Sequence, residues 1–328
     1  MNQTELSKNI QEINIQKMIV MGLAPVLLFF SFFLSVFTPY PIGLSSVLYG
    51  RKVSGIVTGI TVLAFVVLML FTFDGMDVSL SIFFALSLIL GLGISEVVKK
   101  DINPVLGIVA IGAIVSFIAG LFVFLSLASQ QLSLKETIVQ EIERLKPQLE
   151  EQQKALAASG EKGTFEMMAI LGQPDVLAAE VIKLAPSYFL VTLFITLWVN
   201  FFMVLKSNRL VRGEAKYTEQ SMLNYQVPDQ VIWAVIAFLG FYLLEEQPGF
   251  EYMGAIGLAG LSVLGVFYFF QGFGIYLAFL DNYKITGFFR TLLVVTTVMM
   301  ANKMIALIGL INMFVDFKKL MKKNDSGE

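Results

Sequence analysis

Chemistry in this chain has to be done without thiols or imidazoles. The 328 residues contain no Cys and no His, which removes disulfides, thiolate nucleophiles, imidazole bases and nearly every transition-metal site. What remains of interest is polar residues set inside apolar runs. Asn302 and Lys303 interrupt the run 291–315. A lysine embedded in such a run is a ligand or counter-ion candidate by default, unless it snorkels to an interface. Gln271 lies within Tyr252–Leu280, near Tyr268 and Tyr276, and Asn200 follows Trp198 inside Ser187–Leu205. A carboxamide at membrane depth needs a partner, worth about 1 kcal/mol, and either a neighbouring helix or a ligand would serve. Trp198 is too deep in its run for an interfacial anchor and reads as a packing residue. No Walker loop, zincin signature or nucleophile elbow is present. The paired acids Glu245/Glu246 and Glu150/Glu151 read as exposed turns or a solvated helix face. The residues therefore predict no enzyme, no cofactor and no metal.

The elements that must position these groups are transmembrane helices. The chain is 56% hydrophobic with 15% charged residues and a mean hydropathy of +0.76, outside the range of soluble domains. Its formal net charge is −2, so nothing points to nucleic acid. The fold class predicted is an all-α polytopic transmembrane bundle. Its parts are a polar N-terminal tail (1–17), a first membrane half (18–128), a polar insert (129–185), a second membrane half (186–317) and a basic tail (318–328). Ser133 and Glu136 predict a capping box, followed by an amphipathic helix with Ile138, Ile142, Leu145 and Leu149 on one stripe. Gly160–Gly163 breaks that pattern, and Asp175 is a candidate cap for a short helix returning to the membrane. Gly55/Gly59 form a GxxxG pair, and Gly254, Gly257 and Gly260 line one helix face. Both patterns read as close helix packing within the chain. Glu96 and Lys100 form an i,i+4 pair.

Hydropathy alone counts eight spans, and eight spans put the basic residues on the wrong side. The run from Met18 to Gly50 carries no charge, and Pro39 and Pro41 mark a turn inside it. Asn302/Lys303 marks another. Allowing both reversals makes ten segments with two broken hairpins and both termini in the cytoplasm. Of the 23 Lys and Arg, six then lie in the insert, Lys303 lies at an outer turn, and the other sixteen are cytoplasmic, in accord with the positive-inside rule. The outer turns become acidic, with Asp74, Asp77, Glu245, Glu246 and Glu251. The insert becomes extracytoplasmic. Short segments such as 42–50 are tolerated at membrane depth only when buried in protein or lining a cavity, and broken helices are where transporters place their sites.

Five segments carry a family resemblance. They are Pro39-Tyr-Pro41 with Leu48-Tyr-Gly-Arg51-Lys-x-x-Gly55; Leu197-Trp-Val-Asn200; Val227-Pro228; Phe269-Phe-Gln271-Gly272; and Ile308-Gly-Leu-Ile-Asn-Met-Phe-Val-Asp316-Phe-Lys318. In this order they resemble the YybS-like family of bacterial membrane proteins. That resemblance implies residence in the bacterial cytoplasmic (inner) membrane. The Tyr49-Gly50-Arg51-Lys52 turn is also similar to the S components of energy-coupling-factor vitamin transporters. Those components dock their transmembrane partner through an AxxxA face on the first helix, and Met18–Phe37 has none, so an ATPase partner is not implied.

Two functions fit these residues. One is small-molecule binding or transport, with an outward-facing site near Gln271, Asn302, Lys303 and Asn200 covered by the insert. The other is a cell-envelope scaffold that docks a protein partner through 133–160. In both, the bilayer is the solvent.

Overall fold

A computed structural model gives the fold and describes residues 14–31, 33–72, 78–130, 133–158, 173–212, 216–247, 252–315 and 317. Several expectations lie outside those residues. They are the first 13 residues of the N-terminal tail, the Asp74/Asp77 turn, 160–163 with the 164–172 that follow, Glu251, Asp316 and the tail 318–328.

Every regular element among the described residues is helical. Apart from two 3-10 turns (Ser35–Phe37 and Leu244–Glu246), they are, in chain order, α1 (Ile15–Phe30), α2 (Pro39–Thr72), α3 (Val78–Lys99), α4 (Pro104–Gln130), α5 (Leu134–Ala158), α6 (Pro174–Arg212), α7 (Glu219–Leu223), α8 (Val231–Leu243), α9 (Met253–Asn282), α10 (Gly287–Met300) and α11 (Asn302–Ile311). Among the described residues five helices are long and apolar enough to cross a membrane, or six when the bent pair α10–α11 counts as one span. Eight apolar runs thus give fewer full-length spans than expected. Two of the runs make short helices, the 16-residue α1 and the 13-residue α8. A second difference concerns the end of the insert. The expected boundary at 185/186 falls inside α6, because Pro186 removes one hydrogen bond without ending the helix.

The contacts divide the chain into two compact units. Unit 1 comprises 1–115, 192–229 and 265–328, and unit 2 comprises 116–191 and 230–264. In unit 1, α2 contains a reversal. Gly50 adopts φ 84°, ψ 178°, a backbone region open almost solely to glycine. Contacts on either side of it run in opposite senses along α3. Pro39 and Ile42 lie on Gly91 and Ser46 lies on Lys99, whereas Arg51 meets Glu96 and Phe65 stacks on Phe84. Residues 39–49 therefore run with α3 and residues 51–72 run against it. The turn foreseen at Pro39/Pro41 is real, and the second reversal lies at Gly50.

The double proline has a physical reason. The first four N–H groups of a helix lack intrahelical acceptors, and burying them without partners is costly. Thr38, Pro39 and Pro41 are buried. Pro39 and Pro41 have no N–H to strand, and the Thr38 N–H donates to the Ser35 carbonyl at 3.0 Å. Only the Tyr40 amide is left of the four, so this helix start is cheap to bury.

A Cβ built on Gly50 meets nothing within 4 Å, so alanine there would be opposed by the backbone alone. Gly50→Ala is expected to lower the thermal stability of the detergent-solubilised protein by about 1–3 kcal/mol. An unchanged midpoint would mean that residues 39–72 do not need this conformation.

Around this hairpin, α1 packs on 51–72, where the Thr61 hydroxyl donates to the Gly22 carbonyl at 2.7 Å. Val26, Ile42, Val57, Phe65, Met69, Phe84 and Leu88 form the buried cluster. Gly55 and Gly59 do not take part. Both are exposed, with open space where a Cβ would stand, so the close packing expected of them falls on other glycines.

In unit 2 the foreseen capping box is present. The Ser133 N–H donates to Glu136 Oε2 at 2.8 Å and the Glu136 N–H donates to Ser133 Oγ at 3.2 Å. The bond from the Ser133 backbone, then that with its hydroxyl, holds the Glu136 carboxyl below its ordinary range. Asp175 pairs with Lys135 at 2.9 Å, and Lys183 with Glu245 at 2.7 Å. The glycine stripe of α9 packs on α8: Gly257 faces the Phe238 carbonyl and the Tyr242 amide, and Gly260 faces the Phe238 ring.

Candidate functional site

Residues 193–208 of α6 lie in unit 1. Leu193, Leu197, Trp198, Phe201, Val204 and Leu205 are buried. Trp198 stacks flat on Phe270 of α9, with ring centroids 4.4 Å apart, a packing role as its depth implies. Asn200 lies two residues on, about 200° around the helix, and faces a different element. Its Nδ2 donates to the Val36 carbonyl at 2.7 Å and to the Thr196 carbonyl at 2.7 Å. Val36 lies in the one-turn 3-10 helix Ser35–Phe37 that precedes α2.

Gln271 does the complementary job for an irregular stretch. Residues 224–230, between α7 and α8, are not helical, yet Val227 is buried. The Val227 N–H donates to Gln271 Oε1 at 2.7 Å. Leu223 lies on Gly274, where a Cβ would strike its carbonyl. Tyr225 packs against Trp198 and Phe267. Burial, with Tyr268 nearby, pushes the Tyr225 phenol up to about 12. Non-helical backbone survives away from water only where its polar groups find partners. A third carboxamide follows the pattern: Asn312 Oδ1 accepts from the Phe317 N–H at 3.1 Å, just past α11.

Asn302 and Lys303 stand elsewhere. The chain breaks at Ala301 (φ −127°, ψ 28°), and α10 and α11 meet at 91°. The foreseen reversal is thus a right-angle elbow. Asn302 and Lys303 are exposed on the first turn of α11, and Lys303 makes no ion pair among the described residues. The elbow is anchored on both sides. On α10, Thr297 bonds the Tyr276 hydroxyl at 3.0 Å, and Arg290 pairs with Asp281 at 2.5 Å. On α11, Gly309 lies on the Tyr268 carbonyl, and Ile305 places its own carbonyl on Gly272.

Charges gather where α2 meets the C-terminal end of α3. Glu96 receives Arg51 at 2.6 Å, with Lys99 at 3.8 Å and Lys100 at 3.9 Å. The i,i+4 partner read from sequence is thus the longest of three. Lys99 also donates to Ser46 Oγ at 2.6 Å, and Tyr40 and Ser207 share a hydrogen bond of 2.9 Å. Arg209 is paired with Glu219, whose side chain is only 9% exposed. Sequence reasoning missed these long-range partners. The signal available was a lone acid, Glu96, beside a span end opposite Arg51.

The five segments that carried the resemblance all fall in unit 1. A family model described as predicted membrane protein, DUF2232, matches residues 17–314. The chain belongs to that family. No curated protein and no solved structure matches this DUF2232 chain. The family description states membrane residence and no activity.

Proposed function

We propose that this DUF2232 protein binds or transports a small molecule in a bacterial cytoplasmic membrane, with Asn302 and Lys303 at the elbow as its ligand contacts. The observation that carries this reading is the 91° break beside an exposed lysine without an ion-pair partner among the described residues. Broken helices expose backbone and polar groups at depths where an intact helix hides them, and a cation there is costly without a task. Asn200 and Gln271 serve as positioning residues in this reading, since both bond irregular backbone.

The proposed topology has both termini in the cytoplasm and the insert outside. It is supported by the gathering of Arg51, Lys99 and Lys100 around Glu96 near the C-terminal end of α3. A single-cysteine series at 51, 145 and 303 in this cysteine-free chain reads it directly, with 51 labelled from the cytoplasm and 145 from outside.

The test of function is thermal stabilisation of purified protein across a panel of small metabolites. Lys303→Ala should weaken binding of any hit about tenfold. Unchanged affinity would remove the elbow as the site. The competing reading is an envelope scaffold working through α5, whose charged face is exposed. It predicts no metabolite hits, together with co-purifying proteins that are lost on deletion of 133–160.

A further inference from the structure

A second polar site lies at the charged end of unit 1, apart from the elbow. The α3–α4 turn, the last turns of α6 and Tyr217 enclose a cleft of about 220 Å³ counted to its open mouth. Val98, Ile102, Pro104 and Leu205 make its apolar walls, and Asp101, Asn208 and Tyr217 supply the polar groups. Asn208 is 7% exposed, and its Oδ1 is buried without a hydrogen-bond partner. An unmet acceptor of this kind is costly unless something donates to it. Asp101 holds its place through the backbone. It sits at φ 49°, where Asp is among the better tolerated residues, and closes α3 with its N–H on the Val98 carbonyl and that of Ile102 on the Val97 carbonyl. Asp101 is exposed and makes no ion pair among the described residues.

We infer that this cleft binds a primary ammonium group. The residues lining it bring together one carboxylate, one amide whose oxygen lacks a partner and one aromatic ring, which together ask for a compact cation with several N–H donors. Lys216 Nζ stands 5.3 Å from the centroid of Tyr217, so an ammonium group of this chain already meets that ring. The enclosed part admits a group about the size of one water, which suits –NH₃⁺ and excludes a quaternary ammonium. Two sources carry that chemistry, a phosphatidylethanolamine headgroup and a free amine.

The probes are n-butylammonium and tetramethylammonium, titrated at matched ionic strength against protein in phosphatidylcholine/phosphatidylglycerol nanodiscs. Thermal midpoint is the readout. Butylammonium should raise the midpoint saturably and tetramethylammonium should not. Asp101→Asn, which keeps the backbone conformation accessible, should weaken the butylammonium response about tenfold. Asn208→Leu should abolish it, and if that variant does not fold, Asp101→Asn decides alone. Replacing phosphatidylcholine by phosphatidylethanolamine should raise the wild-type midpoint but not that of Asp101→Asn if the source is lipid. A response confined to butylammonium assigns a soluble amine. A wild type unmoved by either source, an equal response to tetramethylammonium, or an Asp101→Asn variant behaving as wild type would each overturn the assignment. Ligand binding at Lys303 is read with the metabolite panel and its own variant, so either site can fail alone.

Discussion

Gly309→Ala is expected to destabilise unit 1 by about 3 kcal/mol, although a single methyl group is all that is added. The methyl carbon would overlap the Tyr268 carbonyl oxygen. Backbone cannot move aside as a flexible side chain does, so α11 has to lift from α9. Lipid tails are as apolar as the residues of α11, so burial offers little resistance to that separation. Close packing at small residues is what holds such helices together. The matched control is Gly265→Ala on α9, where a Cβ meets nothing within 4 Å. There the same substitution should be neutral or stabilising by up to about 1 kcal/mol through helix propensity. Thermal midpoints of the two variants in one detergent give the comparison. Equal shifts would show that the α9–α11 contact is not this close.

Gln271→Leu should lose about 2 kcal/mol, because it leaves the buried Val227 N–H without an acceptor. Asn200→Leu should lose less. Asn200 Oδ1 is itself buried and unpartnered, so that substitution removes one unmet group while creating another at the Val36 carbonyl. A carbonyl keeps other ways of being satisfied, and the amide of Val227 has one proton to place. The order of the two midpoints tests the assignment of both amides to backbone support. If Gln271→Leu leaves the midpoint of ligand-free protein unchanged and abolishes binding of a metabolite, Gln271 is a ligand contact and the backbone reading fails.

Much of this was legible before any coordinates. Ser133 and Glu136 state a helix start in four residues, since each satisfies the other's backbone. Pro39 and Pro41 announce a turn, because proline removes donors wherever it stands. The same pattern left the site half-read. Asn200, Gln271 and Asn302 all look alike as amides in apolar runs, yet two brace irregular backbone and one is exposed at an elbow. Nothing local to Gln271 says that residue 227 passes beside it, 44 positions away in sequence.

Glycine shows the limit most clearly. Gly55 and Gly59 have the spacing of a packing motif and face open space, while Gly272 and Gly309, far apart in sequence, meet backbone to backbone. Composition and charge suffice for a helical membrane protein without thiol or imidazole chemistry. They act through transfer free energies that each residue carries with it. The backbone conformation of Gly50, the right-angle elbow at Ala301 and the partners of the buried amides were decided by the tertiary structure. A hydrogen bond or a close helix crossing depends on two positions at once, and no single stretch of sequence holds both.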